Sequence, residues 1–159
     1  MRIVALALLG FPALAQAFSG VVVSVRDGDT LTVMVEDRKL QVHVAEIDAP
    51  ELRQSFGGRS RDSLAQMCLG KQAEVSVVAS RRAGTTGRVL CEGVDAGAKQ
   101  VGSGLAWVSG RRAASGRRAA SVSPLFLLED QAQRNREGLW SDRNPAPPWA
   151  YRANRRNRL

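Results

Sequence analysis

Four carboxylates stand in two short loops of this sequence, next to runs in which apolar residues alternate with smaller or polar ones. Asp27 and Asp29 belong to the segment VRDGDTLTV, and Asp48 and Glu51 belong to the segment IDAPE. Carboxylates that are crowded together repel one another, so a cluster of them needs a bound cation or raised pKa values. Their hard oxygen atoms suit calcium or magnesium better than zinc, and the chain has no thiolate or multi-histidine motif for a structural zinc site. The two loops therefore predict a divalent cation site.

The chain around these acidic loops is basic. Its 159 residues carry a formal net charge of +8. A basic surface around a local metal site suits a polyanion, because the surface attracts the phosphates and the metal neutralises the one being attacked. The unit RRAAS occurs at residues 111–115 and again at 117–121. It predicts a solvated basic loop that either touches phosphates or is simply a charged surface.

The first 17 residues have the organisation of an export signal. Arg2 supplies a positive start, an apolar run follows, and Ala15-Gln16-Ala17 forms a small-x-small cleavage site before Phe18. A buried N-terminal element is the alternative. Because the apolar run is too short to span a bilayer comfortably, we expect no membrane span in the mature chain. The prediction is a secreted or periplasmic protein that begins near Phe18.

Export affects how the two cysteines are interpreted. Cys68 and Cys91 lack the CxxC spacing of a redox or metal motif. In an oxidising compartment such a pair more often forms a structural disulfide, with two buried free thiols as the alternative.

The alternation of apolar residues predicts five strands, at 21–25, 31–36, 40–47, 73–79 and 88–94. Helices are predicted at 57–69, before Gly70, and at 96–103, and a last one begins after Ser123 with Pro124 in its first turn. Five strands with a helix between the third and fourth predict an α+β fold, a five-stranded β-barrel of the oligonucleotide-binding (OB) type with about three helices. The segment NPAPPWAYRANRRNRL is predicted to be extended and partly disordered. We expect one domain at 18–152 followed by a basic tail at 153–159.

Several segments together resemble the staphylococcal-nuclease-like (thermonuclease) family. They are VRDGDTLTV, AEIDAPELRQSFG, TGRVL, GLAWV and the GLW…PPW ending, and they cover about Val21 to Arg152. The resemblance implies a five-stranded barrel with three helices. It also implies a secreted, calcium-dependent phosphodiesterase that cuts both DNA and RNA.

The resemblance also implies roles for individual residues. Those implied for a site of Ca²⁺ or another divalent cation are the ligands Asp29 and Asp48, the backbone carbonyl of Ala49, and Asp27 just outside the ligands. Glu51 matches the glutamate that acts as general base on the attacking water, a task suited to a carboxylate that can accept a proton. Arg88 matches an arginine that steadies the pentacoordinate phosphate through its fork of donors.

One departure from the family pattern falls in the site. His43 stands five residues before Asp48, where the family usually has a second arginine. Losing a phosphate clamp of this kind can cost on the order of 10²–10³ in rate. Three roles stay open for His43: a hydrogen-bond donor to phosphate as imidazolium, a nitrogen ligand that shifts the metal preference, or a residue that only fills a pocket.

Stacking residues are missing as well. The loop reads GTTGR where the family has DRYGR, and Ser109, Gly110 and Arg112 replace tyrosines after GLAWV. Because stacking is worth about 1–3 kcal/mol per base, we expect looser substrate binding with strong salt dependence. Arg112, Arg81 and Arg82 would compensate electrostatically, with less base contact.

Two functions follow from these patterns. One is an active metal-dependent endonuclease on DNA and RNA, and the other is a non-catalytic nucleic-acid binder on the same barrel. Trp107 and Trp140 are predicted to pack in the core, and Trp149 to fold back and anchor the tail. The sequence gives no sign of oligomerisation, so a monomer is expected.

Overall fold

The computed structural model describes residues 16–82, 84–109 and 123–157. The strands are β1 (Ala17–Val25), β2 (Thr30–Val35), β3 (Arg38–Val44), β4 (Ile47–Asp48), β5 (Gln72–Arg81), β6 (Gly84–Cys91), β7 (Val94–Asp95) and β8 (Trp107–Val108). The helices are α1 (Gly57–Cys68), α2 (Ala96–Gly102), α3 (Pro124–Asn135), a 3₁₀ turn (Gly138–Ser141) and α4 (Pro148–Arg156). The predicted export signal, except its last two residues, and the predicted basic loop at 111–121 lie outside the described residues.

Five strands close into a barrel. They pair in the order β3-β2-β1-β5-β6 with antiparallel neighbours, and a parallel pairing of β3 with β6 completes the circle. In that closing pair His43 stands opposite Thr86. The α+β fold with a five-stranded OB-type barrel is therefore confirmed.

The barrel interior is filled by the residues that alternate along the strands. They are almost completely buried and include Val22, Leu31, Val33, Val42, Val75 and Val89. Leu64 of α1 adds a fully buried side chain to the same core. Because the inward set alternates with partly exposed residues, the two-residue period of each strand points one face to the core and the other outward.

Helix α1 lies in the chain between β4 and β5. It begins after Phe56, whose φ of 66° is left-handed, and Gly70 at φ 77° turns the chain into β5. Cys68 at the end of α1 forms a disulfide with Cys91 at the end of β6, with 5.3 Å between their Cα atoms. The predicted disulfide is therefore present, and bridging residues 23 apart stabilises the fold by about 3 kcal/mol.

Helices α2 and α3 pack against each other and add Val101 and Leu125 to the core, and both begin at side-chain caps. Asp95 accepts a hydrogen bond from the backbone of Ala98 at 2.9 Å, and Ser123 accepts one from Leu125 at 3.4 Å. The carboxylate of Glu129, buried in α3, accepts a hydrogen bond from the backbone nitrogen of Val108 at 2.9 Å. The two predicted helices are thus observed near their expected boundaries.

The C-terminal segment differs most from expectation. The prediction that it is extended and partly disordered is wrong for Pro148–Arg156, which form helix α4. Pro148 occupies the first turn of the helix, where a missing N–H costs nothing. The predicted domain boundary after residue 152 falls inside this helix.

Trp149 holds α4 against the domain, as predicted. Its ring lies 5.7 Å from the ring of Trp107, which lies 4.3 Å from the ring of Trp140, both in edge-on geometry. Such aromatic pairs add about 0.5–1.5 kcal/mol beyond the area they bury.

Strand ends differ from the predicted ones in the part that matters for the site. The third predicted strand stops at Val44, because Glu46 adopts a left-handed φ of 65°, and Ile47–Asp48 then pair with β8. The fifth predicted strand, at 88–94, corresponds to β6, which begins at Gly84 and so includes Thr85 and Thr86. Among the described residues, no helix is long and apolar enough to cross a membrane.

Candidate active site

The ends of β1, β3 and β4 surround a cavity of about 300 Å³. Six of the seven residues singled out from the sequence line it, namely Asp27, Asp29, His43, Asp48, Ala49 and Glu51. The seventh, Arg88, is not among the lining residues. Arg26 and Arg152, which sequence reasoning did not single out, line the cavity as well.

Asp29 joins the two acidic loops. Its Oδ2 accepts a hydrogen bond from the backbone nitrogen of Ala49 at 2.7 Å, and its Oδ1 accepts one from the hydroxyl of Thr30 at 2.9 Å. Its own carbonyl accepts a hydrogen bond from the backbone of Val44 at 2.8 Å. Burial raises the pKa of Asp29 from 3.8 to about 7; the bond from Ala49 opposes this and the negative charge of Asp27 adds to it. A cation bound to Asp29 would favour the charged form of its carboxylate and so act against the effect of burial.

Asp27 lies at the more exposed side of the same loop. Burial acts to raise its pKa, but hydrogen bonds from Asp29, Thr30 and Arg26 outweigh it, so the pKa of Asp27 is lowered overall. Arg26 Nε donates to Asp27 Oδ2 at 3.1 Å. The two neighbouring carboxyl groups therefore have pKa values shifted in opposite directions, and Asp27 is the one that is charged throughout the neutral range.

Two buried polar residues that the sequence did not reveal support the loop from behind. Gln100 Nε2 donates to the carbonyl of Gly28 at 2.7 Å and to the carbonyl of Ser60 at 2.9 Å. A Cβ at position 28 would overlap the Ser60 hydroxyl, so only glycine fits there. Gln100 and Ser60 are fully buried and therefore fix the position of the acidic loop relative to α1 and α2.

Arg152 of α4 reaches across the cavity to the other acidic loop. Its Nη1 and Nη2 donate to the two carboxylate oxygens of Asp48 at 3.1 and 2.7 Å, and its Nη1 also donates to Glu51 Oε1 at 2.9 Å. The hydrogen bonds that Arg152 donates to Asp48 and Glu51 raise its pKa, so it stays charged. The sequence signal that could have located it is Pro148 at a helix start, followed by Trp149 and Arg152 one turn apart.

His43 is held at both ring nitrogens. Its Nδ1 lies 3.1 Å from the Thr30 hydroxyl, and its Nε2 lies 3.1 Å from Gln41 Nε2. One consistent assignment has Gln41 donating to Nε2 and Nδ1–H donating to Thr30, which in turn donates to Asp29. In this arrangement His43 buttresses Asp29 through Thr30 and has no free nitrogen lone pair to offer to an ion.

Arg88 lies on β6, with its side chain 59% exposed, and donates to Glu46 Oε2 at 2.8 Å. Exposed ion pairs of this kind contribute about 0–1 kcal/mol, so Arg88 can exchange Glu46 for another anion at little cost.

The donor atoms of the cavity fit a hard divalent cation in type. Asp29 and Asp48 offer carboxylate oxygens with unused lone pairs, and Ala49, which donates to Asp29, lines the same cavity. Within the described part of the chain, no three acidic, histidine or cysteine side chains stand close enough to hold an ion by themselves. Two carboxylates, a backbone carbonyl and water molecules form a donor set that calcium or magnesium accepts. Arg152 would have to release Asp48 for the ion to take its place.

A model of the family described as staphylococcal nuclease homologue matches residues 41–142 of the chain. The chain belongs to this staphylococcal nuclease family. An "uncharacterized endonuclease" of Escherichia coli O157:H7 is 32% identical over 148 residues, which are 91% of this chain and 92% of that protein. A "micrococcal nuclease" of Shigella flexneri is 33% identical over 94% of this chain and 88% of its own length. Membership of the staphylococcal nuclease family confirms the resemblance seen in the sequence and supports a nuclease function in general terms.

The staphylococcal nuclease family also includes a larger relative. The "staphylococcal-like nuclease CAN1" of Arabidopsis thaliana is 32% identical over 75% of this chain but only 35% of its own length. The similarity therefore covers about a third of that larger protein.

Proposed function

We propose that this protein is an exported, divalent-metal-dependent endonuclease that hydrolyses phosphodiester bonds in DNA and RNA. The observation that carries the proposal is the hydrogen bond from the Ala49 backbone to Asp29, because it brings the loop of Asp27 and Asp29 against the loop of Asp48 and Glu51. Two nuclease-named bacterial relatives aligned over about nine-tenths of the chain support the same reaction class.

One group of cavity residues is assigned to the cation. Asp29, Asp48 and the carbonyl of Ala49 would hold the cation, with Asp27 beside them. When bound, the cation supplies positive charge that offsets the negative charge developing on the attacked phosphate. Calcium is our first candidate, with another divalent cation as the alternative.

Glu51 would accept the proton of the attacking water. Its carboxylate is about one-third exposed and lines the cavity, so it can reach a water molecule once Arg152 releases it. Arg88 would leave Glu46 and donate two hydrogen bonds to the phosphate oxygens. His43, held between Thr30 and Gln41, would keep Asp29 in position and leave the phosphate to the arginines.

Export is part of the proposal. The Cys68–Cys91 disulfide supports an oxidising compartment, where such bonds persist. Cleavage before Phe18 would remove the Ala17–Ser76 pair and the hydrogen bond from Val77 to Gln16, and it would leave the pairs from Phe18 to Val21 that join β1 to β5.

A non-catalytic nucleic-acid binder is the second candidate. It is favoured by the fact that Asp48, Glu51, Arg88 and His43 all have protein partners. In that case the ion pairs would be the permanent state of the cavity.

Digestion of plasmid DNA and of RNA with calcium or with chelator, from pH 5 to 9, separates the two candidates. The nuclease requires calcium-dependent cleavage in the parent and a loss of about 10²–10⁴-fold in Glu51→Gln. Glu74→Gln, an exposed glutamate on β5, is the matched control and should cleave at the parent rate. Absence of metal-dependent cleavage at every pH would reject the nuclease in favour of the binder.

A further inference from the structure

We propose that helix α4 forms the substrate-binding wall of this site and holds a single nucleic-acid strand in a groove beside Glu51. The groove encloses about 370 Å³ and is lined by Glu51, Tyr151, Arg152, Arg155 and Arg156. It shares Glu51 and Arg152 with the acidic cavity. The proposal rests on the nucleic-acid substrate proposed above and names the element that binds it.

The charge of the groove suits phosphates. Arg152, Arg155 and Arg156 are three and four residues apart, so they project from one face of α4. Arg152 and Arg156 are about 6 Å apart along the helix axis, which is one to two nucleotide steps of a strand. Within the described ranges, no carboxylate forms an ion pair with Arg155 or Arg156. Those two guanidinium groups are therefore available to an incoming polyanion.

Helix stability alone does not account for this placement. Arginines in the last turn favour a helix by about 0.3–1 kcal/mol each, through its dipole, wherever on the turn they stand. Here both line the groove that also contains the proposed general base.

Helix α4 is fixed at two points that do not involve the proposed metal ligands, so the groove exists before a substrate arrives. Trp149 packs on Trp107, and the Tyr151 hydroxyl donates to the carbonyl of Arg53 at 3.2 Å. A pre-formed surface lowers the cost of ordering side chains on binding.

Tyr151 gives the groove an aromatic wall. Arginines that follow a backbone together with an aromatic ring on which a base can stack are the usual means of binding a single strand. Tyr151 lines the groove beside the three arginines, so its ring would stack a base while the guanidinium groups hold the phosphates. A groove walled by one helix favours a single strand over a duplex.

The test measures binding of a fluorescein-labelled twelve-nucleotide oligo(dT) strand, and of the same strand in a duplex, by anisotropy in chelator at 50 to 300 mM salt. Arg155→Gln/Arg156→Gln should weaken binding of the strand about 10-fold or more at 50 mM salt. A plot of log affinity against log salt has a negative slope, to which each phosphate contact with a single strand contributes about 0.7. For this double variant the slope should therefore be shallower than for the parent by about 1.4. Arg155→Lys/Arg156→Lys keeps the charges and should retain most of the affinity and slope.

The matched control is Arg38→Gln/Lys39→Gln. These exposed residues lie at the start of β3, opposite the end of β2 and about 17 Å along the strand from His43, and their replacement removes the same charge. The control should change affinity less than twofold. Circular dichroism confirms that α4 is kept in each variant.

If Arg155→Gln/Arg156→Gln and Arg38→Gln/Lys39→Gln lose the same affinity for the strand, the proposal is overturned, because binding would then follow net charge alone. An unchanged salt slope in Arg155→Gln/Arg156→Gln, or tighter binding of the duplex than of the strand, would overturn it too. The assay needs no hydrolysis, so it separates the two proposals. Cleavage with no effect of the double variant rejects only the groove, and a groove effect without cleavage rejects only the nuclease.

Discussion

Replacing Asp29 by asparagine should stabilise the metal-free protein above neutral pH. Asparagine has nearly the same shape, and its single oxygen can accept the hydrogen bond from Ala49 while its amide faces the Thr30 hydroxyl. The replacement removes a buried ionisable group whose charged form the fold disfavours. Stability and metal binding are thus opposed at this position.

The magnitude and its pH window follow from the raised pKa. Below about pH 4, Asp29 is protonated both folded and unfolded, so it contributes no penalty. Between about pH 4 and 7 the unfolded chain loses the proton while the folded chain keeps it, so folding stability falls as pH rises. A shift from 3.8 to about 7 corresponds to at most about 4 kcal/mol. Because Asp29 shares its charge with Asp27 and partly reaches the cavity, we expect about 1–3 kcal/mol.

Urea unfolding at pH 4, 6 and 8 in chelator measures the difference. Asp29→Asn should equal the parent at pH 4 and exceed it by about 1–3 kcal/mol at pH 8. Asp37→Asn, in the exposed turn between β2 and β3, is the control and should stay within about 0.5 kcal/mol of the parent throughout.

With calcium at pH 8 the parent should become more stable than Asp29→Asn. Only the parent would bind calcium, and its free energy of unfolding would then increase by RT ln(1 + [L]/Kd). The reasoning is refuted if Asp29→Asn is no more stable than the parent at pH 8 in chelator. It is also refuted if the variant keeps the same advantage at pH 4, since burial of a charge would then not be the cause.

Two further predictions concern the surroundings of the cavity. Arg152→Ala should raise calcium affinity about 10-fold in a calorimetric titration, because the guanidinium no longer competes for Asp48; equal or weaker affinity would contradict this. Gln100→Leu should lower the free energy of unfolding by about 2–4 kcal/mol in urea, because the carbonyls of Gly28 and Ser60 lose their donor. Gln66→Leu on the exposed face of α1 should change it by less than about 0.5 kcal/mol, and similar losses in both would reject the role given to Gln100.

The barrel and most of the acidic cavity could be predicted from the sequence because their signals are local. Alternating valines mark strands over a few residues, and the glycine of the DGD turn and the proline of IDAPE mark where those strands end. Asp29 and Asp48 come together because β2, which follows Asp29, pairs with β3, and the chain passes from the end of β3 to Asp48 within four residues. Caps such as Ser123 likewise act within one turn.

The residues that were missed act across long stretches of chain. Arg152 meets Asp48 across 104 positions, and Gln100 meets Gly28 across 72. Neither contact produces a repeating pattern of residues in the sequence. Helix α4 was missed because its prolines and arginines are also typical of disorder, and the contact of Trp149 with Trp107 that outweighs this tendency is tertiary.

The three tryptophans of the chain all lie in one cluster, formed by Trp107, Trp140 and Trp149. Near-ultraviolet absorption and emission of the whole protein therefore report on a single place, the joint between the C-terminal helix and β8. Any event that lifts that helix separates one indole from the other two and changes the signal without an added label. Intrinsic tryptophan fluorescence therefore reports on the position of helix α4 beside Glu51.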